Sequence, residues 1–369
     1  MTTVGVIGAG QLAMMTAEAA RSLSLGLAVL PSAPDDPATL IADYVAKDLS
    51  DLVQRSSLIT FENEFVNLGE LREFADRGIK FLPHLNCLGI LVNKYEQRQF
   101  LHCHHLPTPP FTPIDEYLQQ GNPSFPAVVK LCRQGYDGKG TKIVTTKEEL
   151  HHYWQQVKQA SAIVEPLINF QQELAIMVAR SLTGEISLFP IVETQQIKQV
   201  CRLVIAPARV SNAIAARVCD IATTIVTTLN YVGILGIELF LTPDNEILIN
   251  EMAPRPHNSG HYTIEGCVTS QFQQLLLAVL GRNLGSTAMT APVAVMVNLL
   301  GLEIAEGEYT NRLHKITQFP HTYLHWYHKQ PRWGRKLGHV TILAEDYTQA
   351  LATATAIEDL WYAQTSQPL

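Results

Sequence analysis

The chain opens with a short apolar run that leads directly into a glycine turn and then into a helical pattern. Val4–Ile7 is followed by Gly8-Ala9-Gly10, and residues 11–23 carry apolar side chains at helical spacing. This order predicts a buried strand, a tight turn and a helix packed against the strand.

The alternation of strand and helix continues through the first part of the chain. Residues 27–30 predict a second buried strand, and residues 57–61 and 79–82 predict two more, with a helix over 68–77 between them. Strands that alternate with helices form a parallel sheet with helices on both faces. We therefore expect an α/β domain at the N-terminus.

The glycine turn has several interpretations. Gly8–Ala13 fits the dinucleotide pattern G-x-G-x-x-G/A, which predicts an NAD-dependent oxidoreductase. That pattern also needs an acidic residue at the end of the second strand, and no carboxylate occurs there before Asp35. The helix N-terminus could bind another anion, or the glycines could serve strand–helix packing alone.

Length and charge narrow the class of protein. The chain has 369 residues, which suggests about two or three domains at roughly 150 residues each. A net charge of −7 without a Lys/Arg run argues against nucleic acid or a membrane as partner. There is no apolar stretch of the roughly 20 residues that span a membrane, and no basic start typical of a secretory signal. The six cysteines are scattered without a Cys-x-x-Cys pair, so we expect a soluble protein of the cytoplasm.

Prolines mark a boundary in the middle of the chain. Pro107–Pro110 follows a predicted helix over 94–105, and the pattern after it is dominated by strands. The later predicted elements are a hairpin over 127–130 and 142–144, strands over 162–167, 174–179 and 186–192, a helix over 212–230, strands over 233–241 and 246–250, and, after Ala291, a smaller unit ending in a strand over 338–344 and a helix over 347–362.

The predicted hairpin carries a glycine-rich loop beside a lysine. Gly135–Thr141 has three glycines in seven residues, which favours a flap whose N–H groups surround phosphates. Lys130, on the preceding strand, would add a point charge to the same phosphates. A hairpin turn with solvated charges is the alternative.

Two acids interrupt otherwise apolar strands. Glu238 and Glu251 lie 13 residues apart, with the turn Thr242–Asn245 between their strands. On paired antiparallel strands both carboxylates can face one side. Because buried carboxylates need a counter-ion, the pair predicts a magnesium site on phosphate oxygens. A solvent-facing pair on an edge hairpin is the alternative.

A polar loop follows the second acid. Ala253–His261 contains Arg255, His257, Asn258 and a second histidine within a Pro/Gly-shaped segment. This density of cation, imidazole and amide favours recognition of an anion or a substrate over packing.

These motifs together resemble the ATP-grasp family of 5-(carboxyamino)imidazole ribonucleotide synthases of purine biosynthesis. The resemblance rests most on Tyr136–Gly140, Asn250-Glu251 and the run Arg255–His261. It extends over nearly the whole chain, through Gly8–Leu12, Thr60–Glu62, Pro107–Phe111, Thr269–Phe272 and Gly334–His339.

The resemblance implies an α/β and α+β multidomain chain. Its parts are an N-terminal Rossmann-like (pre-ATP-grasp) domain over 1–92, an ATP-grasp domain over 93–290 and a small β-rich C-terminal domain over 291–369. A flap subdomain occupies about 112–166, and ATP lies between it and the rest of the ATP-grasp domain.

The resemblance also assigns site residues. Those implied for ATP are Lys94, Lys130, Gly135, Tyr136, Asp137, Gly138, Lys139, Gly140, Thr141, Glu165, Pro166, Leu167, Ile168, Glu173, Gln196, Asn250 and Glu251. Those implied for the ribonucleotide and bicarbonate are Gln11, Leu12, Glu62, Tyr136, Asp137, Arg255, His257, Asn258, Lys329 and Arg335. Glu238 and Glu251 match the magnesium ligands, and Arg255, His257 and Asp137 are the implied catalytic residues.

Some positions depart from the family pattern. Lys94 stands where the family usually has Arg, which keeps the charge but loses the planar fork. Gln134 replaces the first flap glycine, and Gln195-Gln196 lies where a His is common.

The reaction implied is carboxylation of the exocyclic amine of 5-aminoimidazole ribonucleotide by bicarbonate and ATP, through carboxyphosphate. Asp137 and His257 are the candidates for orienting or deprotonating that amine. The resemblance further implies Mg²⁺ as cofactor and a homodimer. The alternatives are another ATP-grasp ligase of the formate-dependent glycinamide ribonucleotide transformylase type, an NAD-dependent oxidoreductase, and a catalytically silent nucleotide-binding subunit.

Overall fold

The computed structural model describes residues 2–121, 123–133 and 140–362. Its first domain is the parallel α/β unit that the sequence predicts. The elements are β1 (Thr3–Ile7), α1 (Gln11–Ser22), β2 (Gly26–Leu30), a 3₁₀ turn (Pro37–Leu40), β3 (Tyr44–Val45), α2 (Leu49–Arg55), β4 (Leu58–Phe61), α3 (Leu68–Asp76) and α4 (Leu85–Leu91).

The strands run in the order β3-β2-β1-β4, all parallel. Alternate residues of each strand pack against different helices: Leu27 and Val29 join the core under α1, whereas Ala28 joins the core under the other helices. Both faces of the sheet are therefore covered, as expected for parallel strands.

One predicted strand of this domain is wrong. Residues 79–82 form no strand, and only Phe81 makes an isolated bridge, to Ile59 of β4. Pro83 follows at once and has no N–H to continue a ladder, so the pairing stops there.

The next elements form a small antiparallel sheet. They are α5 (Lys94–Cys103), β5 (Thr112–Pro113), α6 (Ile114–Gln119), β6 (Ala127–Leu131), β7 (Thr141–Val144), α7 (Lys147–Gln156) and β8 (Ala162–Pro166). The order is β5-β8-β6-β7, and β6 pairs with β7 so that Lys130 lies opposite Thr141. The predicted glycine-rich hairpin is thus confirmed at its two strands.

The rest of the chain builds one large antiparallel sheet. Its elements are β9 (Gln172–Arg180), β10 (Ile186–Leu188), β11 (Val192–Ile197), β12 (Val200–Ala206), α8 (Asn212–Thr228), β13 (Gly233–Leu241), β14 (Ile247–Ala253), a 3₁₀ turn (Asn258–Gly260), α9 (Thr263–Gly266), α10 (Gln271–Val279), β15 (Val293–Leu300), α11 (Glu306–Ile316), β16 (Thr322–Trp326), β17 (Lys336–Ala344) and α12 (Tyr347–Tyr362).

The nine strands follow the order β14-β13-β9-β11-β12-β15-β17-β16, with β10 added on β9. The C-terminal strands therefore extend the sheet that begins with β9, because β12 pairs directly with β15. The single strand predicted over 186–192 is wrong: β10 and β11 are separate, and Pro190 between them has no N–H for a ladder. No helix of the described residues has both the length and the apolar character needed to cross a membrane.

Candidate active site

The two acids predicted to form a pair lie directly opposite each other. Glu238 of β13 and Glu251 of β14 are register partners. Ile237 and Leu239 belong to the core covered by α8, so Glu238 between them faces the other side of the sheet.

A β-bulge brings a third polar residue to this point. The register shifts between Glu238 and Leu239, because Leu239 pairs with Ile249 while Glu238 pairs with Glu251. Asn250 is the extra residue, and its Nδ2 donates to Glu238 Oε2 at 3.4 Å. Bulges of this kind re-aim side chains next to active sites. Here the bulge puts Asn250 and Glu251 together against Glu238.

The acid pair is engaged by side chains from two other segments. Lys94, the first residue of α5, places Nζ 2.9 Å from Glu251 Oε2. His257 Nε2 lies 3.4 Å from Glu238 Oε1. β14 is the edge strand of the sheet, and the Glu238 and Glu251 side chains are 27% and 36% exposed. The pair is therefore partly open to solvent, but each carboxylate also contacts a side chain from another segment.

The two carboxyl groups titrate in opposite directions. Burial, together with the charges of Glu251 and Glu173, raises the pKa of Glu238 to about 7. Burial opposes ionisation of Glu251 as well, but the charge and hydrogen bond of Lys94 hold its pKa below the ordinary value. Glu251 is thus the charged carboxylate of the pair. Glu238, whose pKa is near 7, would ionise fully if a cation bound beside it.

A second cluster joins the flap sheet to the acid pair. Lys130 Nζ contacts Glu165 Oε2 at 2.8 Å and donates to Asn250 Oδ1 at 2.9 Å. Burial lowers the pKa of Lys130, and Glu165 opposes that shift. The Glu165 side chain is therefore held in an ion pair with Lys130.

Arg98 is a site residue that the sequence analysis missed. It is buried, its Nε lies 2.5 Å from Glu165 Oε1, and its Nη2 donates to the main-chain oxygen of Asn250 at 2.8 Å. Lys94 and Arg98 occupy positions i and i+4 of α5, on one face. A polar stripe at helical spacing on a buried helix face is the signal that could have revealed Arg98.

The polar loop after β14 meets the N-terminal domain. Arg255 makes a two-point ion pair with Glu64, with Nε 2.6 Å from Oε2 and Nη2 3.1 Å from Oε1. Burial and the charge of Arg255 lower the pKa of His257 to about 3, so its imidazole is neutral. Its Nδ1 lies 2.9 Å from Ser259 Oγ.

The glycine turn is shaped around a carboxylate of its own chain. Gly10 N–H donates to Glu62 Oε2, and a Cβ at Gly10 would overlap the Glu62 side chain. Burial raises the pKa of Glu62, although the Gly10 N–H and Lys329 oppose the rise. Glu62 thus occupies the anion position at the N-terminus of α1, which opposes a pyrophosphate there and the NAD interpretation.

Residues of the N-terminal, middle and C-terminal parts meet beside this turn. Lys329 Nζ donates to Gln11 Oε1, and Lys336 Nζ donates to Asn258 Oδ1. Both lysine Nζ atoms lie near the Tyr327 ring, 5.7 and 5.9 Å from its centre. The contacts thus bring together three residues predicted for the ribonucleotide, namely Gln11, Asn258 and Lys329. Lys336 was not predicted.

The other predicted residues are divided among the large sheet, the core under α1, the C-terminal part and the residues outside the described ranges. Glu173 lies on β9, and burial raises its pKa to about 7; Gln196 lies on β11, two strands from β13. Leu12 is buried in the core under α1, and Arg335 donates to the main-chain oxygen of Gln330. Pro166, Leu167 and Ile168 follow Glu165 at the end of β8, and Gly140 precedes β7, which begins at Thr141. The predicted flap residues that lie outside the described residues are Gln134, Gly135, Tyr136, Asp137, Gly138 and Lys139.

Comparisons with known proteins place each part of the chain. Residues 1–91 match the ribonucleotide synthetase preATP-grasp domain, residues 99–272 the ATP-grasp domain, and residues 294–353 the phosphoribosylaminoimidazole carboxylase C-terminal domain.

Two relatives that match this chain over nearly their whole length carry the same name. The N5-carboxyaminoimidazole ribonucleotide synthase of Synechocystis sp. is 44% identical, covering 98% of both chains, and that of Bacillus subtilis is 35% identical, covering 93% of this chain and 91% of the relative.

Solved structures agree with the relatives. The synthetase from Thermotoga maritima superposes with a TM-score of 0.85 at 34% identity over 98% of both chains. The synthase from Aspergillus clavatus, in complex with ADP and 5-aminoimidazole ribonucleotide, superposes with a TM-score of 0.88 at 28% identity over 98% of both chains. With its acid pair, polar loop and three matched domains, the chain belongs to the N5-carboxyaminoimidazole ribonucleotide synthase family of ATP-grasp ligases.

Proposed function

We propose that this chain carboxylates the exocyclic amine of 5-aminoimidazole ribonucleotide with bicarbonate and ATP, giving 5-carboxyaminoimidazole ribonucleotide, ADP and phosphate in purine biosynthesis. The observation that carries the proposal is the convergence of the Glu238–Glu251 pair with Arg255 and His257 beside the N-terminal domain. An Aspergillus clavatus relative holds ADP and 5-aminoimidazole ribonucleotide on the same fold.

Magnesium suits the acid pair. Among the described residues, no group of three or more His, Cys, Asp or Glu side chains could hold a metal. Mg²⁺ commonly takes one or two carboxylates and completes its shell with water and substrate phosphates, which is what Glu238, Glu251 and a nucleotide offer. When bound, it would supply positive charge to the phosphate oxygens.

Two lysines serve the nucleotide phosphates in this proposal. Lys94 and Lys130 are held on Glu251 and Glu165, so both cations already stand beside the acid pair. An incoming triphosphate would therefore meet both cations in place beside the acid pair. The predicted flap Gly135–Thr141 is proposed to add main-chain N–H groups to the same phosphates.

Arg255 and His257 serve the anionic intermediate. Arg255, which Glu64 holds in place, is proposed to supply positive charge to bicarbonate or carboxyphosphate. With its pKa lowered to about 3, His257 accepts protons poorly but offers a neutral hydrogen-bonding edge. His257 therefore orients the amine or the carboxyl group, and Asp137 is the candidate base.

The ribonucleotide is proposed to lie across the glycine turn. Gln11 and Lys329 are in contact, and Arg335 precedes β17 in the same C-terminal part. Lys329 and Arg335 supply cations for its phosphate, while Gln11, Leu12 and Glu62 border it from the N-terminal domain. With the proposed division at 1–92, 93–290 and 291–369, this site would lie where the three domains meet.

We also propose that the protein is a cytoplasmic homodimer. No disulfide joins the six cysteines in the part of the chain that the structure describes, as expected in a reducing compartment. Light scattering after gel filtration should give twice the monomer mass; a monomer mass would refute the dimer.

The test is ADP release by the purified protein with each substrate omitted in turn. We expect release to require both 5-aminoimidazole ribonucleotide and bicarbonate. Release with formate and glycinamide ribonucleotide instead would establish the alternative ligase, and no ATP turnover with any acceptor would establish a silent nucleotide-binding subunit.

A further inference from the structure

The segment from Glu251 to His257 carries three proposed site residues but little regular structure. It includes the last residues of β14 and a proline-containing turn, and only at Asn258 does a 3₁₀ turn begin. A segment without a ladder partner on both sides needs other contacts to keep its main chain in one place.

The side-chain amide of Gln271 hydrogen-bonds to the main chain at the C-terminal end of this segment. It is fully buried at the start of α10; its Oε1 accepts the His257 N–H at 2.9 Å, and its Nε2 donates to the His257 carbonyl oxygen at 2.9 Å. One amide thus satisfies both main-chain groups of the residue whose imidazole faces Glu238.

The same amide fixes a neighbouring histidine. A main-chain N–H can only donate, so the atom that meets the His257 N–H is the Gln271 oxygen. Its nitrogen, which only donates, also meets His261 Nδ1 at 3.0 Å. His261 therefore accepts at Nδ1, in agreement with burial lowering its pKa well below the ordinary value.

Gln97 grips the other end in the same way. Its Oε1 accepts the Met252 N–H at 3.1 Å, and its Nε2 donates to the Met252 carbonyl oxygen at 3.0 Å. Gln97 is buried on α5, one turn after Lys94, which holds the Glu251 carboxylate. Both ends of the segment are thus held by buried glutamine amides.

We propose that Gln97 and Gln271 are positioning residues of the active site. Gln97 sets the position of Glu251 and thereby the binding of the divalent cation; Gln271 sets the position of His257 and thereby the use of bicarbonate. The proposal rests on the proposed function and deepens it.

The chain contains a matched control on the same helix. Gln274, also fully buried on α10, grips Gly285 through the same two contacts: its Oε1 accepts the Gly285 N–H at 3.0 Å, and its Nε2 donates to the Gly285 carbonyl oxygen at 2.6 Å. Gly285 lies in the connection between α10 and β15. Gln274→Leu therefore removes equivalent bonds from a loop that holds no site residue.

The experiment compares Gln97→Leu, Gln271→Leu and Gln274→Leu with the unmodified protein. Gln271→Leu should lower kcat/KM for bicarbonate by about 10²-fold, the size expected of a misplacement near 1 Å, with KM for ATP unchanged. Gln97→Leu should raise the Mg²⁺ concentration for half-maximal binding in the presence of ADP, measured by calorimetry, by about 10-fold or more, as outer-shell changes commonly do. Gln274→Leu should lower the melting temperature comparably and leave both constants unchanged.

Two outcomes would overturn the proposal: constants of Gln97→Leu and Gln271→Leu that equal those of Gln274→Leu, or losses of rate without any change in these two constants. If a Leu variant does not fold, Gln271→Glu is compared with Gln274→Glu in place of the Leu variants. Glu keeps the oxygen that accepts from the main-chain N–H but loses the amide nitrogen that donates. Turnover of the unmodified protein tests the proposed function separately, since the positioning role is judged only from ratios to that rate.

Discussion

Replacing Glu238 with Gln should stabilise the metal-free protein against unfolding and abolish its ATP-dependent activity. The substitution keeps the size of the side chain and removes a carboxyl group whose pKa is raised to about 7, chiefly by burial and by the charge of Glu251. A buried group that faces a like charge destabilises the folded state whenever it is ionised.

The magnitude follows from the pKa. A rise from 4.5 to about 7 corresponds to about 3 kcal/mol, at roughly 1.4 kcal/mol per pH unit. Because 27% of the side chain is exposed, solvent screens part of this, and we expect about 1–2 kcal/mol. Because the unfolding entropy grows with chain length, the melting temperature of a 369-residue protein should rise by about 1–3 °C.

The sign of the pH dependence is specific. Between pH 4.5 and about 7 the folded state holds the Glu238 proton more tightly than the unfolded chain, so the unmodified protein loses stability as pH rises through that window. Gln does not titrate. The advantage of Glu238→Gln should therefore be small at pH 5 and complete at pH 8.

The assay is thermal unfolding in EDTA at both pH values, repeated with Mg²⁺ and ADP. We expect Mg²⁺–ADP to stabilise the unmodified protein more than the variant, because the variant lacks one ligand. Glu246→Gln is the control: its side chain is 66% exposed in the turn that joins β13 to β14, so its effect should stay within about 0.5 kcal/mol. Equal melting shifts for Glu238→Gln at pH 5 and pH 8, or equal stabilisation by Mg²⁺–ADP, would refute the reasoning.

Three further substitutions test other contacts. Glu251→Gln should abolish ATP turnover, and near-normal ADP release would remove the proposed metal site. Arg98→Met leaves buried Glu165 with one cation fewer and should cost about 3–5 kcal/mol, seen as a lower melting temperature; an unchanged one would contradict the role of Arg98. Gly10→Ala places a methyl group against Glu62 and should cost about 1–3 kcal/mol in a urea titration; an unchanged midpoint would show that the turn tolerates a side chain.

Much of the architecture could be predicted from local patterns. Apolar runs and helical spacing correctly indicated the parallel N-terminal sheet, the strands of the glycine-rich hairpin and the two acid-bearing strands. These features depend on burial within a few neighbouring residues, which hydrophobic periodicity reports directly. The errors fell at Pro83 and Pro190, where one missing N–H stopped a ladder that side-chain hydrophobicity alone would have continued.

Local patterns also indicated where the site lies. Glu238 and Glu251 interrupt apolar strands, and a loop dense in polar groups follows them. The relation between those groups came from contacts across long stretches of chain. The bulge at Asn250 depends on the pairing of β14 with β13, and Arg98 meets Glu165 across 67 positions. Glu62 and Gly10 face each other only because β1 and β4 are neighbours. The sequence states directly which side chains are present. Strand register, ion pairs and the resulting pKa values depend instead on which residues, far apart in the sequence, are buried next to one another.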